Sequence, residues 1–201
     1  MTVVLHTCCG PCASACVPRL KENGHEVTML FANSNIDTEE EFLKRRGEAE
    51  KLATVDGVGF AALPYDHTEW LREVAAGYEN EPEKGRRCER CFRYNLRKTA
   101  EYAAAHGLEA FTTSLTVSPH KVSSMIFAAA GAMSPGQRAS CPLHSVTGAT
   151  GVSPVATSNR QPVFLPEDFK KKEGFKLSVR RAAELGLYRQ AYCGCEFSKR
   201  S

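Results

Sequence analysis

The chain has 201 residues, of which 42% are hydrophobic, and 26 basic against 23 acidic side chains leave a net charge of +3. That length supports one domain, two at most, with enough core to fold without disulfide staples, and so small a net charge says little about nucleic acid. No apolar stretch approaches the roughly 20 residues of a membrane helix. The early run Val3-Val4-Leu5 is too short for a signal peptide, so the expectation is a soluble, cytoplasmic protein.

Thr2 to Leu5 reads as a short buried strand, followed by a loop carrying Cys8, Cys9 and Cys12. Ala13 to Asn23 is a predicted helix with Gly24 as its stop. Val27 to Ala32 is an apolar strand. Thr38 to Ala53 is a helix, because Thr38 followed three residues later by Glu41 fits a capping box. Gly59 to Leu63 is a third strand and Thr68 to Ala76 a short helix. Arg87 to His106 is a longer helix whose apolar stripe runs through Cys88, Cys91, Phe92, Leu96, Ala100 and Ala103 at spacings of three and four. Ala110 to Val117 is a Thr-rich strand, Lys121 to Ala132 a helix and Lys176 to Gln190 the last helix. Strands alternating with helices predict an α/β fold, a three-layer sandwich around a mainly parallel sheet.

Met133 to Pro162 breaks the pattern: it is rich in Ser, Thr, Gly, Pro and Ala and has no apolar period. It reads as a flexible insertion at 133–162 in a single domain spanning 1–201, and its Cys141 and His144 are expected to lie apart from the main site. Basic residues crowd around Arg86, Arg87, Arg90, Arg93, Arg97 and Lys98, around Lys170 to Lys172 with Arg180 and Arg181, and at Lys199 and Arg200. Such groups fit either solvated helix faces or phosphate contacts.

Nine cysteines in a chain of this kind point to metal or redox work, because a reducing cytosol disfavours structural disulfides. Six fall into three pairs: Cys8 with Cys9, Cys88 with Cys91, and Cys193 with Cys195. The first pair follows a strand and opens a helix, where ligands of open α/β sheets bind and where the helix N-terminus favours thiolates. Cys88 and Cys91 lie one turn apart on a helix, which suits zinc, an iron–sulfur cluster or a dithiol. Together the two pairs make four thiolates, enough for one [4Fe–4S] cluster. Cys193-Gly194-Cys195 fits either a strained, easily reduced disulfide or further metal ligation. The tetrapeptide Cys9-Gly10-Pro11-Cys12 also matches that of thioredoxins, but without the Trp that precedes it there.

These motifs together resemble the QueH family of epoxyqueuosine reductases. The likeness runs from Leu5 to Ser198, apart from 133–162. It rests on Leu5-His6-x-Cys8-Cys9-x-Pro11, Asn33-x-Asn35-Ile36, Tyr65-Asp66 and Arg87-Cys88-x-x-Cys91-Phe92. It continues through Phe111-Thr112-Thr113-x-Leu115-x-Val117-Ser118-Pro119, Phe164 to Lys172, and Leu187-Tyr188-Arg189-Gln190-x-Tyr192-Cys193-Gly194-Cys195-x-Phe197-Ser198. Gly10 stands where that family leads one to expect Ala.

The resemblance implies an adenine-nucleotide hydrolase-like (HUP-like) α/β sandwich that reduces epoxyqueuosine in tRNA to queuosine without cobalamin. It implies ligation of a [4Fe–4S] cluster by Cys8, Cys9, Cys88 and Cys91, and a redox-active pair at Cys193 and Cys195. It also implies one additional iron ion, with Cys193 or Cys195 and an N-terminal thiol as candidate ligands. Reducing an epoxide takes two electrons, so a donor of the ferredoxin or flavodoxin type is the expected partner beside the tRNA. His6, Asn33, Asn35 and Asp66 fall at predicted strand ends and are candidates for binding the modified base, or for turn and capping roles. Arg90 and Arg93 are candidates for holding phosphates. Two other readings stay open from the residues alone: a thiol–disulfide oxidoreductase using Cys9 and Cys12, and a zinc-stabilised nucleic-acid-binding module.

Overall fold

A computed structural model describes residues 1–131 and 161–199. Almost all of the expected insertion, with Cys141 and His144, lies outside the described residues. The elements are β1 (Thr2–His6), α1 (Gly10–Glu22), β2 (Glu26–Phe31), α2 (Glu39–Asp56), β3 (Gly59–Ala62), α3 (His67–Trp70), α4 (Arg86–Ala105), β4 (Ala110–Thr113), α5 (Ser123–Gly131), β5 (Val163–Phe164) and α6 (Gly174–Glu184). The strands form one all-parallel sheet in the order β3-β2-β1-β4-β5.

The strands are apolar on both faces because both are covered. Leu5, Met29 and Phe31 point to the side packed by α1, α2 and α6, whereas Val4, Leu30 and Phe111 point to the side packed by α4 and α5. This is the period-two alternation of a strand, and it makes the three-layer sandwich expected from the sequence. A third apolar cluster, built on Trp70, Val74, Ala75 and Tyr94, takes in Cys91, Cys195 and Phe197.

Several boundaries differ from the sequence reading. α1 begins at Gly10 rather than Ala13, with Cys9 as its N-cap. A Cβ on residue 10 would stand 2.7 Å from the Glu48 carbonyl oxygen of α2, so the close approach of the two helices suits Gly at that position. Thr38 does cap α2, accepting from the Glu41 N–H at 3.3 Å, but the Glu41 carboxylate turns to Arg45 and Tyr188. Only half of the expected capping box is therefore made. α3 continues as a π-helical turn, Leu71–Ala75. The predicted strand 110–117 stops at Thr113 and gives way to a 3₁₀ turn, Ser114–Val117. β1 ends opposite Thr113, so no ladder partner remains, and the Thr113 hydroxyl accepts from the Leu115 N–H at 3.1 Å instead. α6 ends at Glu184, not at residue 190: Gly186 and Leu187 close it in a Schellman turn, donating to Ala183 and Ala182.

The topology sets the position of the site. β1 is central, and the chain runs to β2 and β3 on one side and to β4 and β5 on the other. Carboxyl ends of parallel strands share one edge, and the crevice at the reversal of strand order is where such sheets bind ligands. The cysteine loop leaves β1 at that point.

Candidate active site

Cys8, Cys9 and Cys12 cluster just after β1: their three sulfurs all lie within 4.8 Å of one another, and Cys9 is the buried member. The local sequence produces this grouping. Cys9 is extended and its sulfur accepts from the Cys12 N–H at 3.5 Å, as an N-cap oxygen would, while Pro11 fits the first turn, where no N–H is needed. The Cys8 N–H donates to Ser114 Oγ at 3.0 Å, and that hydroxyl lies 3.3 Å from Cys8 Sγ. Ser114 thus ties the loop to the end of β4. Gln190, from the segment after α6, donates its Nε2–H to Cys9 Sγ at 3.1 Å.

The trio divides its protons unequally. Hydrogen bonds from the Cys12 and Cys8 thiols, with help from Gln190, outweigh burial and hold Cys9 well below the ordinary thiol range. Cys12 is pushed well above it by its hydrogen bonds to Cys8 and Cys9 and by burial. Within the trio, the thiolate form is thus favoured most at Cys9. Cys16, one turn on, is fully buried, donates to the Cys12 carbonyl and is raised by burial, as expected for a packing thiol.

A second group faces the first across a cavity of about 450 Å³. Cys8, Cys12, Cys88, Cys91, Cys193 and Cys195 line it together. Cys88 and Cys91 come from the first turns of α4, and Cys193 and Cys195 from the last described loop. Lys84, in the left-handed region with φ +67°, aims its backbone N–H at Cys88 Sγ over 3.3 Å. Asn95 Nδ2 makes a longer contact of 3.9 Å with Cys91 Sγ. Burial raises Cys91, and neighbouring Cys193 and Cys195 raise it further. Burial likewise pushes Cys195 up to about 11, against a hydrogen bond from Ser198.

The final loop is pinned from below by Arg45, which is almost fully buried. Its guanidinium donates to the Cys193 carbonyl at 3.1 Å and the Tyr192 carbonyl at 3.5 Å, and its Nε lies 2.7 Å from Glu41. Gly194 has φ +139°, and a Cβ there would stand 3.0 Å from Asn35 Nδ2 and 3.3 Å from Arg45 Nη1. Only glycine fits that turn without strain.

Comparison with known proteins decides the family. The sequence profile of the family described as "Epoxyqueuosine reductase QueH" matches residues 3–201. The chain belongs to the QueH family. A relative named epoxyqueuosine reductase QueH from Streptococcus pyogenes serotype M1 is 34% identical over 98% of this chain and 70% of its own. One of the same name from Haemophilus influenzae is 31% identical over 98% and 71%. One from Dehalococcoides mccartyi is 30% identical over 98% and 92%.

Among the other residues singled out from the QueH resemblance, Asn33 and Asn35 line the cavity. Asn33 Nδ2 donates to the Thr7 carbonyl at 2.8 Å, and Asn35 Oδ1 accepts from Asn95 Nδ2 at 3.2 Å. His6 is fully buried at the end of β1, with Nδ1 2.9 Å from Thr113 Oγ1, and burial lowers its pKa. Asp66 caps α3, accepting from the Glu69 N–H at 2.8 Å. Arg90 donates to the carbonyls of Glu73 and Val74, and Arg93 pairs with Glu89 at 3.2 Å. His6, Asp66, Arg90 and Arg93 are not among the residues that line the cavity.

The sequence reading gives Cys12 a role only in the thiol–disulfide alternative, and gives none to Ser114, Gln190, Lys121, Trp70 or Arg45. Lys121 reaches the cavity beside Cys193, Cys8 and Cys12. Burial alone would lower its pKa, but those thiols outweigh burial and the net direction is upward, so it stays an ammonium. Gln190 lies inside a quoted family motif, which was a usable signal. Arg45 sits on a helix rich in charge, where nothing in the sequence marks it as buried.

The donor set fits a soft metal or an iron–sulfur cluster. Each of Cys8, Cys9, Cys88 and Cys91 receives a hydrogen bond from a group other than a cysteine side chain: Ser114 Oγ, Gln190 Nε2, the Lys84 N–H and Asn95 Nδ2. Donors aimed at sulfur stabilise thiolate ligands and tune the metal they hold.

Proposed function

We propose that this protein reduces epoxyqueuosine in tRNA to queuosine, the closing step of queuosine biosynthesis. The observation that carries the reading is the convergence of six cysteines, from segments far apart in the chain, on one cavity of about 450 Å³ at the strand-order reversal of the sheet. That volume suits a single nucleoside, and enzymes that act on a base extrude it into such a pocket. Family membership favours a reductase over a thiol–disulfide exchanger or a zinc-stabilised binding module.

In the reaction both carbon–oxygen bonds of the epoxide break, two electrons and two protons enter, and the products are an alkene and water. Cys8, Cys9, Cys88 and Cys91 are the proposed holders of a [4Fe–4S] cluster, with one additional iron ion beside it. When bound, such a group supplies electrons singly from a ferredoxin- or flavodoxin-type donor and a Lewis acid for oxygen. Asn33 and Asn35 face the cavity with amides that orient the base. Lys121 offers its ammonium as a hydrogen-bond donor to the departing oxygen. Cys193 and Cys195 are the proposed redox-active pair. The apolar walls, including Phe92, Leu115 and Met125, limit water around the reacting atoms.

The test is Cys88→Ser, scored by iron and sulfide content, visible absorption and turnover on epoxyqueuosine-containing tRNA. The expected result is a folded chain with reduced iron and no turnover. Full iron content and full activity would remove Cys88 from the ligand set.

A further inference from the structure

We propose that the nucleic-acid backbone is held at the mouth of the cavity, by Lys84, His120 and Arg189, and not by the outer face of α4. The proposal rests on the reading of a tRNA substrate given above. The three residues come from separate segments: the turn before α4, the loop before α5 and the segment after α6. Each is solvent-exposed and each also lines the cavity, which places all three at its opening.

Their side chains are free for a ligand. Among the described residues, none of the three has a carboxylate within ion-pair distance. Arg189 stacks over Phe175, 6.0 Å from the ring centroid. Lys84 and His120 are fixed through their backbone N–H groups, on Cys88 Sγ and on Ser118 Oγ, each at 3.3 Å. Their segments are thus held while the residues remain exposed at the cavity. Glu83 is the one acidic residue among those lining the cavity.

The face of α4 is different: its charge is already matched. Arg86 pairs with Glu81 at 2.8 Å, Arg93 with Glu89, Arg97 with Glu73 and Glu101, and Lys98 with Glu69 at 3.0 Å. Arg90 is spent on two backbone carbonyls and stacks over Tyr78. A phosphate docking there has to displace a carboxylate first. A phosphate at the mouth meets the unpaired cations Lys84 and Arg189 and the His120 imidazole, directly beside a base inserted among the thiols. Such an arrangement of cations around a pocket is how single-stranded nucleic acid is guided and held.

The experiment measures affinity of the full chain for an unmodified tRNA transcript as a function of salt, in wild type, in Lys84→Gln/Arg189→Gln and in Arg93→Gln. Each phosphate neutralised on a single strand contributes about 0.7 to the slope of log affinity against log salt. Losing two contacts makes the double variant's slope shallower by about 1.4, which shrinks the affinity ratio between about 50 and 200 mM salt roughly sevenfold. Arg93→Gln is expected to keep the wild-type slope. A wild-type slope in the double variant, or a shallower slope in Arg93→Gln alone, overturns the assignment of the surface. Absence of tRNA binding by the wild type itself overturns the tRNA reading on which it rests.

Discussion

Replacing Arg45 by methionine tests whether the loop carrying Cys193 and Cys195 is held by one buried cation. Met keeps the stem length but removes every donor. The Glu41 carboxylate loses a partner at 2.7 Å and keeps the Tyr188 hydroxyl at 3.2 Å, while the Cys193 and Tyr192 carbonyls lose their side-chain donor. One-sided loss of a buried ion pair costs about 3–5 kcal/mol. Glu41 is 13% exposed and retains Tyr188, which places this case near about 3 kcal/mol. For a domain of this size each kcal/mol lowers Tm by about 2–4 °C, so the expected fall is about 6–12 °C. Circular dichroism melts read that number, and hydrogen exchange reads protection of the amides at residues 192–195. The reasoning fails if Tm stays within about 2 °C of wild type. It fails equally if Tm falls while protection of 192–195 is unchanged, since the cation would then support α2 and not the loop.

Gly194→Ala puts a Cβ against Asn35 and Arg45 in a conformation that disfavours side chains. The expected strain is about 1–3 kcal/mol, and displacement of the flanking thiols lowers turnover on the order of a hundredfold while the chain stays folded; steady-state kinetics at wild-type level would contradict this. Glu69 gives a pH signature. Burial raises its pKa, but the Tyr94 hydroxyl and Lys98 outweigh burial and hold it below its ordinary value of 4.5. The folded value lies below the unfolded one, so the stabilisation is fully present above about pH 4.5 and is lost as pH falls through the folded value. Glu69→Gln therefore lowers Tm at neutral pH, by the equivalent of about 1–3 kcal/mol, and its melting curve converges with wild type in acid. A difference that stays constant from pH 7 to pH 3 would refute the assignment.

The layered α/β architecture was legible because its strands are uniform apolar runs and its helices carry one apolar stripe. Val27 to Ala32 and the stripe through Phe92 and Leu96 are patterns that local physics reads directly. The cysteine pairs were legible for a similar reason: their spacing is local, and the family resemblance supplied the link between pairs. Element ends were read less well, since they depend on partners elsewhere. Thr113 leaves the sheet because β1 has ended, and α6 stops at a turn that Tyr188 and Gln190 obscure by looking helical in sequence. The supports of the site were invisible for the same reason. Gln190 finds Cys9 across 181 positions, and Arg45 finds Cys193 across 148. No window along the chain contains both ends of such a bond.

Those spans have a consequence for biogenesis. The thiols of the first loop meet Ser114, Gln190 and the facing cysteines only when residues 88 to 195 have also been made and folded against β1. A ribosome-bound fragment ending before α4 offers Cys8, Cys9 and Cys12 alone, with Gln190 and the facing thiols still unsynthesised. Assembly of the full thiol set accordingly waits until residue 195 has been made, and until then the half-built pocket is an open set of oxidisable sulfurs. A cell short of reductant would meet that hazard in newly made protein first, before the mature pool.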